Sequence, residues 1–179
     1  MTENRVVVDD LDVASTRERA NCGCFDMRIA RDGKWYFHGT PIPRKEMVCL
    51  FASMLARRAD GSYWLTTPSE EGEIQVEDVP FLAVELFMQG AERSAVISFR
   101  TNVDEIVTLD ANHGLRVDYD GMGAPPYLSV RGGMEARLTR SVYYELVALG
   151  QEEKVGDQLL YGIWSCGVFF PLGHIGESA

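Results

Sequence analysis

The chain has no run approaching the roughly 20 apolar residues that a membrane-spanning helix needs. Its opening residues, Met1 to Asp12, carry Glu3, Asp9, Asp10 and Asp12 where a secretory signal would be positively charged. Bases are scarce throughout: 17 Lys and Arg stand against 27 Asp and Glu in 179 residues, a formal charge of −10. That balance argues against a nucleic acid polymer or an anionic membrane as partner, because binding to either is driven by displaced counterions. Cysteine is sparse as well. Cys22-Gly23-Cys24 is shorter than the C-x-x-C spacing of redox and zinc sites, and Cys49 and Cys166 lie far off within apolar runs. No metal and no cofactor are expected, and a cytoplasmic protein with reduced thiols is the default.

Catalytic signatures are equally thin. There is no phosphate-binding Gly-Lys-Ser/Thr motif, and Gly121-Met122-Gly123 runs into Pro125-Pro126 instead of a helix. Ile163-Trp164-Ser165-Cys166-Gly167 is similar to a nucleophile elbow but lacks its first glycine, and His38, His113 and His174 are remote in sequence. No catalytic residue is assigned, and a binding protein is expected ahead of an enzyme.

What is present is a foldable chain: 46% of residues are hydrophobic and 25% charged, enough apolar surface to offset the ordering entropy. Residues 1–25 read as a leader with one weakly amphipathic stretch, Leu11 to Ala20. A first half follows over 26–93, a second over 94–175, and a tail over 176–179. Met27–Ala30 and Lys34–His38 flank Asp32-Gly33 as a hairpin. Arg44–Arg58 carries a helical stripe at Met47, Leu50 and Met54. Tyr63–Thr67 is a strand, and further strands are read near 73–76, 81–88, 95–100, 106–109, 115–119 and 127–130. Arg137–Leu149 is a second helix, with Leu138, Val142 and Leu146 on one face. Gln151–Asp157 is a polar loop, and 158–170 closes as a strand pair.

Strand, glycine turn, helix and aromatic strand therefore recur in order, first from Trp35 to Leu65 and again from Tyr127 to Trp164. The expected class is α+β, with two duplicated β-rich halves carrying one helix each.

The densest local chemistry is basic. Between Arg131 and Tyr144 stand Arg131, Arg137 and Arg140 against Glu135 alone. Gly132-Gly133 is read as preceding the helix, so that free amides and arginine forks would offer an anion site. Arg137, Arg140 and Tyr144 would share one helix side. The alternative is that these arginines pair with the protein's own carboxylates. His38-Gly39 with Arg44-Lys45 is a weaker echo in the first copy. Glu77 and Asp78 are adjacent, so in a strand they point to opposite faces and do not share a ligand unless the chain bends. They are read as solvated, or as orienting the arginines from behind, or as meeting a sugar hydroxyl. Trp35, Trp64 and Trp164 read as core, with one of them free to form a pocket wall.

Several segments resemble a bacterial family called domain of unknown function 1285. They are 27–35, Gly39-Thr40-Pro41-Ile42, Leu65-Thr66-Thr67-Pro68, 76–81, Phe99-Arg100-Thr101-Asn102, 135–144 and 162–173. The family carries a basic residue after the match to Thr67-Pro68, where this chain has the acidic Ser69-Glu70-Glu71. The resemblance implies a duplicated core whose second half looks superficially like a pleckstrin-homology fold. It also implies a pocket between the halves for a nucleotide-like ligand and a role in signal transduction. From it come neutral contacts at Thr101 and Asn102 and an apolar wall at Trp164. These join Arg131, Gly132, Gly133, Arg137, Arg140, Glu77 and Asp78 as the candidate ligand site. The expected function is a non-catalytic module binding a small anionic, phosphate-bearing molecule. The alternative is a module binding a peptide partner through the second half.

Overall fold

A computed structural model of the chain describes residues 20–117 and 126–174. The first six-stranded sheet is assembled from two three-stranded meanders. One contains β1 (Ala20–Ile29), β2 (Trp35–Phe37) and β3 (Thr40–Pro41). Helix α1 (Lys45–Ser53) crosses over to the other, β4 (Leu55–Arg57), β5 (Tyr63–Thr66) and β6 (Glu70–Val76). The order is β3-β2-β1-β6-β5-β4, with β1 and β6 parallel at the centre.

The second sheet repeats that plan. Its outward meander is β7 (Phe81–Gln89), β8 (Val96–Thr101) and β9 (Ile106–Thr108). Its inward meander is β10 (Leu115–Arg116), β11 (Tyr127–Arg131) and β12 (Met134–Leu138). The order is β10-β11-β12-β7-β8-β9, again with a parallel central pair, β7 and β12. Helix α2 (Arg140–Ala148) follows β12, and β13 (Gln151–Val155), β14 (Gln158–Ser165) and β15 (Val168–His174) make a third, three-stranded sheet. The fold is thus mostly β, with two similar β-rich halves and one helix in each. The sheets divide between Val76 and Phe81, so β7, which the sequence boundary at 93/94 assigns to the first half, pairs in the second sheet.

Four local readings change. β1 begins at Ala20, inside the segment 1–25 that the sequence pattern marks as a leader, because Ala20 to Cys24 pair in parallel with Glu70 to Glu73. The rest of the Leu11–Ala20 stretch lies outside the described residues, as do Tyr119 and the tail. Helix α1 stops at Ser53, since Leu55–Arg57 pairs with Tyr63–Leu65 and strand hydrogen bonds win over helical periodicity. Helix α2 begins at Arg140: Met134, Ala136 and Leu138 alternate into the core from β12, a period-two pattern that places Arg137 on a strand. The polar segment from Gln151 is β13, an edge strand whose charges discourage further pairing.

A single apolar cluster runs through the molecule. Ile29, Trp35 and Leu65 enter it from the first sheet, Phe81, Phe99 and Leu128 from the second, Val142 and Leu146 from α2, and Ile163 and Phe170 from the third. Ser165 fastens the third sheet to the second: its buried hydroxyl donates to Leu109 O at 2.6 Å and accepts from Ile97 N–H at 3.0 Å. Cys166 stands exposed at the β14–β15 turn with φ +51°, so it does not pack as the core thiol its apolar run implied.

Candidate functional site

Gly132 and Gly133 form the two-residue turn between β11 and β12, with φ of +55° and +74°, a conformation glycine adopts without strain. They do not open a helix, so the amides expected to cradle an anion are hairpin amides. Arg131 stands at the turn end of that hairpin. Arg137 sits opposite Tyr127 at the far end, roughly 13 Å away at the usual strand rise. Arg140 is exposed in the first turn of α2 and makes no ion pair among the described residues. The three arginines therefore do not converge on one ligand.

Each of the first two has an internal task. Arg131 reaches from the second half to the C-terminal end of α1, donating through Nη2 to Ala52 O at 2.7 Å and through Nη1 to Leu55 O at 3.4 Å. Its Nε donates to Glu105 Oε2 at 3.2 Å, and the guanidinium lies 5.4 Å from the Phe81 ring centre. Helix α1 has no basic residue in its own last turn, so Arg131 supplies the cation that the negative end of the helix dipole favours. Arg137 donates through Nη2 to Arg31 O at 2.6 Å and pairs through Nε with Asp78 Oδ2 at 3.0 Å. That Nε–H is not aimed at the carboxylate, so the contact is an ion pair and no hydrogen bond to a described residue satisfies it.

Glu77 and Asp78 lie in the bend between β6 and β7, outside both strands, and diverge there. Glu77 turns to the first half, pairing with Arg28 and accepting from Arg31 N–H at 2.9 Å. The backbone N–H of Arg31 is the main reason its carboxyl is held below the usual range. Asp78 turns to the second half, where Tyr127 Oη donates to it at 3.1 Å. Burial, with Asp78 alongside, pushes the Tyr127 phenol up. The two acids tie the inter-sheet linker to both halves.

Thr101 ends β8, and Asn102 opens the turn to β9. Thr101 is fully buried, and its Oγ1 accepts from Glu105 N–H at 3.1 Å. Asn102 is a pin between halves: its Oδ1 accepts from Leu82 N–H at 3.0 Å and its Nδ2 donates to Gly33 O at 3.3 Å. A Cβ on Gly33 would lie 2.8 Å from Leu82 Cδ1, so glycine permits this close approach. Trp164 is elsewhere, in the third sheet, donating to Glu153 Oε2 at 3.1 Å under the Arg93 guanidinium.

The arrangement nevertheless leaves a cavity of about 440 Å³ between the halves, lined by Cys49, Ala52 and Ser53 of α1, by Val103, Asp104 and Glu105, and by Arg131. Asp104, at φ +63°, is held by Lys45 Nζ at 2.7 Å and Arg100 Nη1 at 2.9 Å. The Lys45 hydrogen bond is the first cause of its lowered pKa, with Arg100 adding to it. The Cys49 thiol donates to Val103 O at 3.4 Å. Of the expected site residues, Arg131 lines this cavity, and the turn carrying Thr101 and Asn102 supplies its wall. Cys49, Ser53, Asp104 and Glu105 complete it. Lys45 and Asp104 are 59 positions apart, so no motif spacing announces their pairing.

Comparison with known proteins agrees with this two-part construction. Residues 16–79 match "Domain of unknown function (DUF1285), N-terminal domain" and residues 80–172 match "Protein of unknown function (DUF1285), C-terminal domain". A crystal structure of a DUF1285 family protein from Silicibacter pomeroyi DSS-3 is 39% identical, with a TM-score of 0.76 over 86% of this chain and 82% of that one. One from Shewanella baltica OS155 is 28% identical, with a TM-score of 0.55 over 69% of this chain and 91% of that one. No curated protein matches the chain. Two consecutive family matches, meeting where the first sheet gives way to the second, place this chain in the DUF1285 family.

Proposed function

We propose that the protein is a non-catalytic cytoplasmic module that holds a phosphate-bearing, nucleotide-like small molecule between its halves. The observation that supports this reading is the inter-half cavity of about 440 Å³ with Arg131 on its wall, a volume within the range of small-molecule sites. Charges around it are balanced, so an incoming phosphate would take the place of Glu105 on Arg131 while the guanidinium keeps its bonds to α1. Asp104 and Glu105 would then accept sugar hydroxyls. Binding is favoured over catalysis because the Asp104 carboxylate is committed to Lys45 at 2.7 Å and Arg100 at 2.9 Å, which lower its pKa and leave it no proton to donate. A ligand touching both α1 and the β8–β9 turn would tighten the halves together, which is how a signalling role would be exerted. Arg137, Glu77 and Asp78 serve the linker in this reading.

Thermal unfolding with adenosine monophosphate, guanosine monophosphate and inorganic phosphate tests it. A nucleotide should raise the melting temperature by linkage, and Ser53→Trp, which fills the cavity from an exposed position, should abolish the shift. Absence of any shift across the panel would overturn the reading.

A second reading is supported by the outer face of the second sheet. Phe87, Val96 and Ile106 are exposed there on one face, beside edge strand β9. A peptide could add along β9 and lay its apolar side chains on that face. Ile106→Lys should then abolish peptide binding and leave any nucleotide shift intact.

A further inference from the structure

A second cavity, in the first half alone, has a different chemistry. It measures about 420 Å³ and is lined by Phe25 and Met27 of β1, Phe37 of β2, Ile42, Met47 and Phe51 of α1, and Leu65 of β5, with Thr67 and Glu70 at its edge. Seven of these nine side chains are apolar, and none is cationic. Met27 and Leu65 are buried and make its floor. Phe37 and Met47, still 47% and 43% exposed, stand at its mouth.

One wall is built by a glycine. A Cβ on Gly72 would lie 2.7 Å from the Phe25 ring, so the ring packs against bare backbone in the middle of β6. Glycine inside a strand weakens it and marks close approach. Here the approach is what holds Phe25 along the cavity.

We propose that this cavity is a binding site for a neutral, apolar small molecule, an aliphatic or aromatic body with at most a hydroxyl head. Its volume suits such a ligand, and its methionine and phenylalanine lining adapts to varied apolar shapes. A fatty acid or phosphate would bring negative charge to a cavity whose described lining offers no cation. A second copy of the chain is the weaker occupant. Three exposed side chains, Phe37, Met47 and neighbouring Leu50, present far less than the roughly 800 Å² that each partner of a stable dimer buries. The site shares no lining residue with the inter-half cavity, so it stands independently of the function proposed above.

The test is a titration of the full chain with N-phenyl-1-naphthylamine, a neutral fluorescent probe, followed by displacement with 1-decanol or decanoate. Saturable uptake is expected, with decanol displacing the probe at concentrations at least tenfold lower than decanoate. Met47→Asp should weaken probe binding about tenfold or more, and Phe37→Ser should weaken it too. Both positions are exposed, so unfolding curves should remain close to the parent. Leu50→Asp is the control: it lies on the same helix, 58% exposed, but does not line the cavity, and binding should be unchanged. The proposal is overturned by absence of saturable uptake, by equal displacement with decanoate, or by Leu50→Asp acting as strongly as Met47→Asp. Probe release coupled to concentration-dependent dimer formation would overturn it as well.

Discussion

Helices α1 and α2 are both nine residues long, yet they spend their apolar residues differently. Helix α2 buries Val142 and Leu146 on β7 and turns Arg140, Ser141, Tyr144 and Glu145 outward. Helix α1 has apolar residues all round: Ala52 is buried, Phe51 and Met47 wall a cavity, and Leu50 faces out at 58% exposure. The apolar stripe of α2 is sealed against a sheet, whereas that of α1 is left partly open over a cavity. The ends differ too. Arg131 from the other half holds the C-terminus of α1, while Tyr161 Oη donates to Val147 O at 2.7 Å near the end of α2.

The sharpest way to break this contrast is truncation on each helix. Leu146→Ala should cost about 2–5 kcal/mol in a urea titration, because a fully buried side chain leaves a cavity. Leu50→Ala should change stability by less than about 0.5 kcal/mol, as exposed positions do. Equal losses would mean that the outer face of α1 is covered. The next largest effect concerns the helix ends. Arg131→Ala should cost about 1–2 kcal/mol, the value of charge-assisted hydrogen bonds reduced for a side chain one-third exposed. Tyr161→Phe, which removes one neutral hydrogen bond from α2, should cost about 0.5–1.5 kcal/mol by the same measurement. A larger loss for Tyr161→Phe would reverse the ranking of the two ends.

The smallest effect is a pH dependence. Asp104, paired with Lys45 at the start of α1, has a folded pKa below its ordinary 3.8. Its contribution is therefore present above the unfolded pKa and lost as pH falls through the folded one. Asp104→Asn should flatten the acid limb of the stability curve below about pH 4 and leave α2 unaffected. Unfolding midpoints from pH 2 to 7 would show this. An unchanged acid limb would mean that the Lys45 pair contributes nothing to the joint between halves.

How much was legible follows from the range of the interactions involved. The Asp32-Gly33 hairpin, the strand at Tyr63 and the alternating strands at 96–101 and 127–131 were readable because turn chemistry and period-two patterning act over a few residues. Glu77 and Asp78 part in a bend between two strands, so strand alternation does not account for their divergence. The start of α2 is masked in the sequence although Met134, Ala136 and Leu138 alternate, because Leu138 also fits the stripe of Val142 and Leu146 at helical spacing. The candidate anion site depends on that helix start, whereas Gly132, Gly133 and Arg137 stand on the β11–β12 hairpin.

By itself, then, the sequence determined a β-rich duplicated chain with one helix per half and an unusual concentration of arginine from 131 to 140. Only the tertiary structure decided what those charges face. Arg131 meets Ala52 O across 79 positions and Arg137 meets Arg31 O across 106. Pairings at such separations are set by how the two sheets pack, and side-chain reach of a few ångströms leaves no trace in local spacing. The same packing, and not the helical stripe of α1, decided that Met47 would border a cavity while Leu50 faced outward.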